Sequence, residues 1–370
     1  AGNTSLAGWG QDFHFNGSEN VNLVPPPTLR RIVAFSAGPG HTVALDDTGR
    51  VIGWGDNQFG QASPANGLGG LKAVAAGGQH SVGLRPDGTV VAWGGNQFGQ
   101  SSVPSGVDSI RAIAAGGNHS LALRTNGTVL GWGGNEFGEA SPPGSATNLV
   151  AIVTGESHTL GLRADGTVLG WGRNDFGQVV APPGLTGVVA IAVGASHSLG
   201  LKEDGTVAGW GDDQHGQASV PEGLSNVIAI AAGRDHSMAL KRDTTVVGWG
   251  RNHFGQGEVP GNLSGVLAIG AGGDRNVALR RPRWIFEPPQ PLTGGGWLLE
   301  MRAEYGGAAE SYRLPRVSVW SSALVPFDPA AGVRVSAPIA LVNGRLQIQV
   351  PASAGDPEMG SRFFMVRESP

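Results

Sequence analysis

The sequence predicts an all-β protein, a seven-bladed β-propeller followed by a small C-terminal β domain. The main observation behind this prediction is a repeat of 39 residues. The tryptophans recur at that spacing, at Trp54, Trp93, Trp132, Trp171, Trp210 and Trp249. Short apolar runs bounded by glycine recur in every unit. A period of this length with several strands per unit is typical of propellers and solenoids.

One unit, from Ala112 to Val150, shows how the strands are predicted. The runs 112–116 and 119–124 are short and apolar, and a third run follows at 128–133. Asn126-Gly127 separates the last two runs, and such a pair favours a tight hairpin because both residues tolerate positive φ. The remainder, which ends in Pro142-Pro143, predicts a loop and a short outer strand, since proline is confined to edges. Four strands per unit make a four-stranded propeller blade.

Small residues recur at the start of the first strand and favour a propeller over a solenoid. Because blades converge on an axis, their innermost strands need small side chains, whereas the large tryptophan belongs further out. An alanine begins this strand in each unit and a glycine follows four residues later, as in Ala34 with Gly38, Ala73 with Gly77 and Ala112 with Gly116.

The number of blades follows from both ends of the repeat. The tryptophan element occurs seven times when Trp9 is included, and the Gly-x-x-His element seven times when residues 272–279 are included, where Arg275 replaces histidine. The propeller, residues 1–281, opens midway through one unit and ends in its other half. We therefore expect a shared closing blade, with inner strands from the C-terminal end and outer strands from the N-terminal end, which pairs both exposed edges.

Residues 284–370 lie outside the repeat and predict a small β-rich module. Alternating stretches occur at 316–320 and 345–350, separated by turn-forming residues. Alternation of apolar and polar residues is typical of strands with one buried face. Pro288-Pro289 and the glycines at 294–296 mark the junction.

The composition excludes several classes of function. Charged residues make up 15% of the chain and the net charge is −4, which gives no general attraction to nucleic acid, so we expect no nucleic-acid partner. No apolar run approaches the roughly 18 to 20 residues of a membrane span. The absence of cysteine rules out a thiol nucleophile and a thiolate metal site. We expect no cofactor and no metal site.

The chain begins with Ala1-Gly2-Asn3 rather than with methionine. Such a start is typical of a mature protein after removal of a signal peptide, and it is equally compatible with a recombinant product. The expectation is a secreted or periplasmic bacterial protein.

The string at 129–139, preceded by Gly-Gly-Asn-His-Ser-Leu-Ala-Leu at 116–123, resembles the repeat of the regulator of chromosome condensation (RCC1-type) family. The resemblance covers residues 1 to about 281 and implies a seven-bladed propeller. The compact unit, with Val103-Pro104 after its Gly-Gln, is most similar to the bacterial secreted branch that includes β-lactamase inhibitors.

Two departures from that family limit what the resemblance implies about function. The family's nucleotide-exchange factors have longer and less regular repeats, so exchange on a GTPase is not expected from this uniform unit. The inhibitors meet their target through aromatic residues around the histidine position. None of the Gly-x-x-His loops here contains an aromatic residue, so β-lactamase inhibition is not expected either.

Residues that recur in every unit offer candidate chemistry, and each also has a structural interpretation. The six histidines suggest a metal ring, but one histidine per blade leaves neighbours a blade width apart, which favours structural hydrogen bonds. The Ser or Thr after each histidine lacks the convergent base and acid of an acyl-transfer site. The Phe series forms either an exposed platform for sugars or peptides or, as we favour, plugs between blades. The histidines are His41, His80, His119, His158, His197 and His236, and the phenylalanines are Phe59, Phe98, Phe137, Phe176 and Phe254, with His215 in the remaining place.

Polar residues that only one repeat carries are the candidate binding residues. Either of two groups would give an asymmetric charged patch, and ordinary variation of solvated loops is the alternative. The first group occupies the Gly-x-x-His loops and consists of Glu156, Arg234, Asp235, Asp274 and Arg275. The second follows the Trp-Gly pair and consists of Arg173, Asp175, Asp212, Asp213, His215, Arg251 and His253.

The sequence thus favours a non-enzymatic binding scaffold with a protein or peptide partner on one propeller face. One alternative is an enzyme, a lyase or hydrolase with its site at the axial mouth, and another is a self-assembling structural surface protein. Fold alone does not decide between them. A deep axial pocket lined by an acid, a base and an ion would favour the enzyme, and a broad shallow face the scaffold.

Overall fold

The computed structural model describes residues 5–10, 29, 31–64 and 68–281, and beyond these the strands between residues 284 and 368. Contacts divide the chain into two units. One is Thr4–Arg281, and the other combines Ala1–Asn3 with Pro282–Pro370. All regular structure in the described ranges is β-strand. Those ranges contain no helix with the length and apolar character to cross a membrane.

The first unit is a β-propeller in which each repeat forms a three-stranded antiparallel sheet, called a blade below. The first strand is β1 (Ser5–Gly10). Blade 1 contains β2 (Ile32–Ala37), β3 (His41–Asp46) and β4 (Val51–Gly55). Blade 2 contains β5 (Ala73–Ala76), β6 (His80–Leu84) and β7 (Val90–Gly94). Blade 3 contains β8 (Ile110–Ala115), β9 (His119–Arg124) and β10 (Val129–Gly133).

The next three blades repeat this order. Blade 4 contains β11 (Leu149–Thr154), β12 (His158–Arg163) and β13 (Val168–Gly172). Blade 5 contains β14 (Val188–Val193), β15 (His197–Lys202) and β16 (Val207–Gly211). Blade 6 contains β17 (Val227–Ala232), β18 (His236–Lys241) and β19 (Val246–Gly250).

Blade 7 is built from both ends of the propeller unit. Its strands β20 (Val266–Gly272) and β21 (Arg275–Arg280) come from the C-terminal end, and β1 pairs antiparallel with β21. This arrangement confirms the predicted seven blades and the shared blade. The backbone groups of β1 hydrogen-bond to those of β21, so the edges at which these two strands meet are both paired.

The predicted fourth strand of each blade is wrong for the described residues. In blade 3 the segment after Gly133 forms turns instead. The Asn135 side chain accepts a hydrogen bond from the Ala140 amide (2.9 Å) and donates one to Ser141 Oγ (2.8 Å). Because this loop satisfies its polar groups locally, it has no need of a strand ladder. The Gly, Asn and Pro content that indicated an outer edge strand indicates turns.

The hydrophobic core lies between neighbouring blades. One cluster joins Leu121 and Leu123 of blade 3 to Leu149, Ile152 and Trp171 of blade 4, and all five side chains are buried. The inner strands β2, β5, β8, β11, β14, β17 and β20 line one axial cavity of about 80 Å³, as their small residues predicted. Truncating such a buried leucine to alanine costs about 2–5 kcal/mol, so interfaces between blades carry much of the stability.

The second unit is also antiparallel β-structure. One sheet contains β22 (Trp284–Phe286), β24 (Trp297–Ala303), β27 (Ile339–Val342) and β28 (Arg345–Val350), with β23 (Gln290–Pro291) paired to β24. The other contains β25 (Val317–Ser322), β26 (Val333–Val335) and β29 (Phe363–Glu368) in the order β26, β25, β29.

Candidate functional site: the loop face

Two loops of each repeat lie at the same end of the propeller. In blade 2, β6 begins at His80 and β7 ends at Gly94, and these two residues pair directly. The Gly-x-x-His loop before β6 and the loop after β7 are therefore neighbours, and the Gly95 amide donates to the Gln79 carbonyl oxygen at 2.7 Å. We call the surface formed by these loops on all blades the loop face. Both predicted groups of binding residues belong to its loops.

A buried hydrogen-bond relay beneath the loop face joins each blade to the next. Trp93 Nε1 and Ser81 Oγ of blade 2 both donate to the Gln61 carbonyl oxygen of blade 1, each at 2.9 Å. His41 Nε2 of blade 1 lies 2.7 Å from Ser81 Oγ. Since the only hydroxyl hydrogen is directed at a carbonyl, which can only accept, the imidazole must be the donor. The histidine is thus the neutral tautomer protonated on Nε2.

The relay recurs around the propeller, which confirms the structural interpretation of the histidines and of the hydroxyl residues after them. The equivalent pairs are His80 with Ser120 (2.8 Å), His119 with Thr159 (3.4 Å), His158 with Ser198 (3.2 Å), His197 with Ser237 (2.9 Å) and His236 with Asn276 (2.7 Å). The Nε2 atom of each imidazole is hydrogen-bonded to a side chain of the next blade. Within the described ranges no three His, Asp or Glu side chains are placed to hold a metal ion.

Burial keeps these imidazoles uncharged. Desolvation is the main cause that lowers the pKa of His41, His119 and His197 to about 3 and of His80 and His158 to about 4. Burial also lowers the pKa of His236. The values of the first five histidines lie well below neutral pH, so these imidazoles are uncharged at neutral pH and the relay through them is intact.

The glycine of the Gly-x-x-His motif is explained by the imidazole. A Cβ atom on Gly77 would lie 2.4 Å from His80 Cε1 and 2.6 Å from the Gly116 carbonyl oxygen of the next blade. Both distances are impossible contacts, so only glycine permits the ring and the neighbouring blade to approach. The motif is one packing unit, which accounts for its fixed spacing.

Arg275 departs from its predicted role. Its side chain is buried, only 4% exposed, and its Nη2 donates to the Gly38 carbonyl oxygen of blade 1 at 2.6 Å. A side chain in this position joins blade 7 to blade 1 and is inaccessible to a partner. Its prediction as a surface binding residue is therefore wrong.

Of the other Gly-x-x-His residues, Glu156 and Arg234 lie at the axial mouth. Glu156 of blade 4 and Arg234 of blade 6 line the mouth of the axial cavity and form an ion pair at 3.4 Å, with both side chains nearly half exposed. Asp235 pairs with Arg251 of the second predicted group at 3.2 Å. The structure thus brings the two groups together on one face. Asp274 accepts a hydrogen bond from Gln256 Nε2 at 3.3 Å.

The second predicted group lies in the loops that follow the last strands of blades 4, 5 and 6. Arg173 forms an ion pair with Asp175 at 2.6 Å. The carboxylates of Asp212 and Asp213 accept hydrogen bonds from backbone amides in their own loops, that of Gln214 at 3.2 Å and that of Ala218 at 2.8 Å.

The two histidines of the second group are at the surface. His215 and His253 are exposed, and the ring of His253 meets the ring of Phe254 edge to face at 4.7 Å.

Sequence reasoning misjudged the Phe series. Phe98 is 54% exposed, and Phe59, Phe137 and Phe176 lie between 36% and 43%, so these rings do not fill gaps between blades. The amide of Phe98 donates to Gln100 Oε1 at 2.8 Å, which fixes its tight turn and places the ring at the outer tip. The surrounding Gly, Asn and Gln residues were the available signal for an exposed loop.

The family model of the regulator of chromosome condensation (RCC1) repeat matches the chain in six segments, residues 32–61, 71–100, 110–139, 149–178, 188–217 and 227–256. A search of curated proteins finds no match.

Several solved structures share the fold. Prp20p from Saccharomyces cerevisiae is 20% identical with a TM-score of 0.64, covering 75% of this chain and 92% of its own. Human WBSCR16 is 20% identical with a TM-score of 0.58, covering 76% and 99%. The ectodomain of the receptor kinase CR4 from Physcomitrella patens is 22% identical with a TM-score of 0.55, covering 72% and 80%. At these identities the likeness concerns the fold.

Proposed function

Because the chain is an RCC1-type repeat protein, we propose that it is a non-enzymatic scaffold that binds a protein or peptide on the loop face. The observation that carries this proposal is the row of exposed phenylalanine rings on successive blades. Aromatic residues are enriched in protein interfaces because they bury a large area at a small entropic cost. Scattered exposed apolar residues are ordinary, but a repeated aromatic position on one face is a surface suited to contact.

The axial opening supports binding on the face better than catalysis in the channel. The cavity holds about 80 Å³, whereas sites for small molecules span roughly 300–1,000 Å³. Its lining is dominated by glycine, alanine and main chain. Its charged members among the described residues, Glu156 and Arg234, are paired with each other at the mouth.

A protein partner also agrees with what the fold does elsewhere. Prp20p, whose structure is similar, binds Gsp1p and histones. The fold is thus able to present a protein-binding surface.

A photo-crosslinking amino acid placed on each end of the propeller tests the proposal. Gln97 is exposed on the loop face and Thr125 is exposed in the hairpin at the opposite end, so full-length chains labelled at one or the other differ only in the face examined. In extract or culture medium of the source organism, we expect a discrete adduct from position 97 that unlabelled protein competes away, and none from position 125. Adducts from position 125 alone, equal adducts from both, or none from either would contradict the proposal.

A further inference from the structure

One exposed ring of the loop face is covered by a cation from the chain itself. The guanidinium carbon of Arg173, in blade 4, lies 5.1 Å from the centroid of the Phe137 ring in blade 3. A cation over the face of an aromatic ring is attracted by the negative potential of the π-system. The ring of one phenylalanine of the series thus binds a guanidinium group within the protein itself.

At the positions equivalent to Arg173 in the two preceding repeats, the residue is glycine, so no side chain covers the ring there. Moving back by 39 residues from Arg173 leads to Gly134 and then to Gly95. All three amides make the same hydrogen bond, to the carbonyl oxygens of Ser157 (2.9 Å), Asn118 (2.7 Å) and Gln79 (2.7 Å), so the backbone is in the same position.

Gly134 therefore occupies the position over the Phe98 ring that Arg173 occupies over the Phe137 ring. Gly95 occupies the same position over the Phe59 ring. Within the described ranges, no Arg or Lys side chain covers Phe98 or Phe59.

The charge of the loop face favours a cationic occupant for these rings. Apart from the buried Arg275, its described arginines are Arg173, Arg234 and Arg251, and each forms an ion pair with a carboxylate of the same face. Asp56, in the loop of Phe59, and Glu136, beside Gly134, have no ion pair with a described residue. Unbalanced carboxylates on the same face as the uncovered rings attract a positive group and repel an acidic one.

We propose that Phe59 and Phe98 each bind an arginine side chain of the partner protein, whose guanidinium takes the place that Arg173 takes on Phe137. Arginine suits this place better than lysine because its planar, weakly hydrated guanidinium stacks on a ring while its N–H groups still reach a carboxylate. This inference rests on the proposed function and adds the chemistry of the partner. It predicts a basic partner segment with two arginines that reach adjacent blades.

Binding of a fluorescein-labelled hexa-arginine peptide to the full-length protein, followed by anisotropy at low salt, tests the inference. Hexa-lysine serves as the probe of charge alone. We expect hexa-arginine to bind more tightly than hexa-lysine. The double variant Phe59→Leu/Phe98→Leu keeps apolar side chains at both exposed positions, and its affinity for hexa-arginine should fall about 5- to 30-fold, since each exposed cation–π contact contributes a factor of about two to five.

A self-covering variant gives the second test. Gly134→Arg introduces on Phe98 the cation that blade 4 provides on Phe137. A Cβ at this position lies 3.1 Å from Asn118 Cβ, so a small shift accommodates it, as the side chain of Arg173 shows at the equivalent place. Gln214→Arg adds the same charge to an exposed position in the loop of His215 on blade 5 and is the matched control. We expect Gly134→Arg to weaken hexa-arginine binding at least twofold more than Gln214→Arg does.

The outcomes separate this inference from the proposed function. Equal affinity for the two peptides, unchanged affinity of the double leucine variant, or equal weakening by the two arginine variants would overturn the arginine sites. A competed adduct at position 97 together with any of these results leaves a scaffold that binds its partner by other contacts. Absence of a crosslinked adduct at position 97 refutes the binding scaffold itself, independently of the affinities measured for the two peptides.

Discussion

The junction between blades 2 and 3 and the junction between blades 7 and 1 join equivalent strands with different side chains. At the first, His80 Nε2 meets Ser120 Oγ, which donates to the Gln100 carbonyl oxygen. At the second, Arg275 donates directly to the Gly38 carbonyl oxygen, and Thr42, in the place of Ser120, has no hydrogen-bond partner for its hydroxyl in the described structure. A neutral relay is thus replaced by one charged donor.

This difference teaches that the repeat and the seam are held together by separate means. The relay needs a histidine and, on the following blade, a side chain that accepts its Nε2–H, which is a hydroxyl or, at Asn276, an amide oxygen. It ends at blade 7, where Arg275 replaces the histidine. Blade 7 is assembled from the two ends of the chain, and there the longer arginine reaches the main chain of blade 1. Because a main-chain acceptor is present whatever the side chain, this contact is independent of the relay.

Acidification should break the regular junctions and produces the largest expected effect. The pKa of each relay histidine is lowered in the folded protein, so the unfolded chain binds more protons below pH 6.5. Stability is complete well above pH 6.5 and falls as the pH drops towards the folded values, which are about 3 for His41 and about 4 for His80. Each of the five histidines with pKa values of about 3 or 4 contributes about 1.4 kcal/mol per pH unit in this range, so the five together contribute about 7 kcal/mol per pH unit.

Urea unfolding at pH 7.5, 6.5 and 5.5 measures this acid dependence. We expect a moderate loss of stability between pH 7.5 and 6.5 and a loss about three times as large between pH 6.5 and 5.5, since half of the unfolded chain's histidines are protonated at pH 6.5. A flat profile down to pH 5 would show that the histidines are accessible to protons in the folded state.

Removal of the seam arginine should give the next largest effect. Arg275→Ala leaves the Gly38 carbonyl oxygen buried without its donor, and hydrogen bonds to charged groups contribute about 1.5–3 kcal/mol, so we expect a loss of about 2–3 kcal/mol in urea unfolding. Arg173→Ala is the control, since it removes an ion pair in which both side chains are exposed and which contributes less than about 1 kcal/mol. Equal losses for the two variants would contradict a structural role for Arg275.

The same hydroxyl position should respond differently at the two junctions. Ser120→Ala leaves the His80 Nε2–H group buried without an acceptor, which costs about 1–3 kcal/mol. Thr42→Val removes a hydroxyl that has no partner among the described residues and keeps the shape, so stability should stay within about 0.5 kcal/mol of the original. Chemical denaturation of both variants makes the comparison, and a large loss for Thr42→Val would mean that the seam has a relay of its own.

The smallest effect is expected at the weakest regular junction. Thr159 Oγ1 lies 3.4 Å from both His119 Nε2 and the Glu139 carbonyl oxygen, longer than the equivalent distances of Ser120. Thr159→Ser should shorten both contacts, and since it also removes a buried methyl group, stability should change by less than about 0.5 kcal/mol. The His119 Nε2–H proton resonance should move downfield towards that of His80, and an unchanged resonance would contradict this account.

Much of the fold was predictable because the repeat copies its packing. The spacing of Trp93 and His80 gave the blades, and the small residues at Ala73 and Gly77 gave the inner strands, since these features arise from contacts that every blade makes. The fourth strand was mispredicted because the loop after Gly133 bonds to its own Asn135 side chain, a local competition that apolar patterning does not reveal.

The candidate site was less predictable, because recurrence does not distinguish buried positions from exposed ones. Phe98 recurs as regularly as Trp93, yet it lies on the surface. Arg275 looked like a unique surface residue because it breaks the pattern of histidines. It does so because the blade that follows it is the first in the chain, a relation that only the three-dimensional arrangement shows.

The fixed proton of each relay imidazole has a spectroscopic consequence. A ring N–H group that is buried and hydrogen-bonded exchanges slowly with water, whereas that of a solvent-exposed histidine is lost from proton spectra by rapid exchange. His41, His80, His119, His158, His197 and His236 each belong to a different junction. Six resolved imidazole signals would let the opening of each junction except the seam between blades 7 and 1 be followed separately in the unmodified protein.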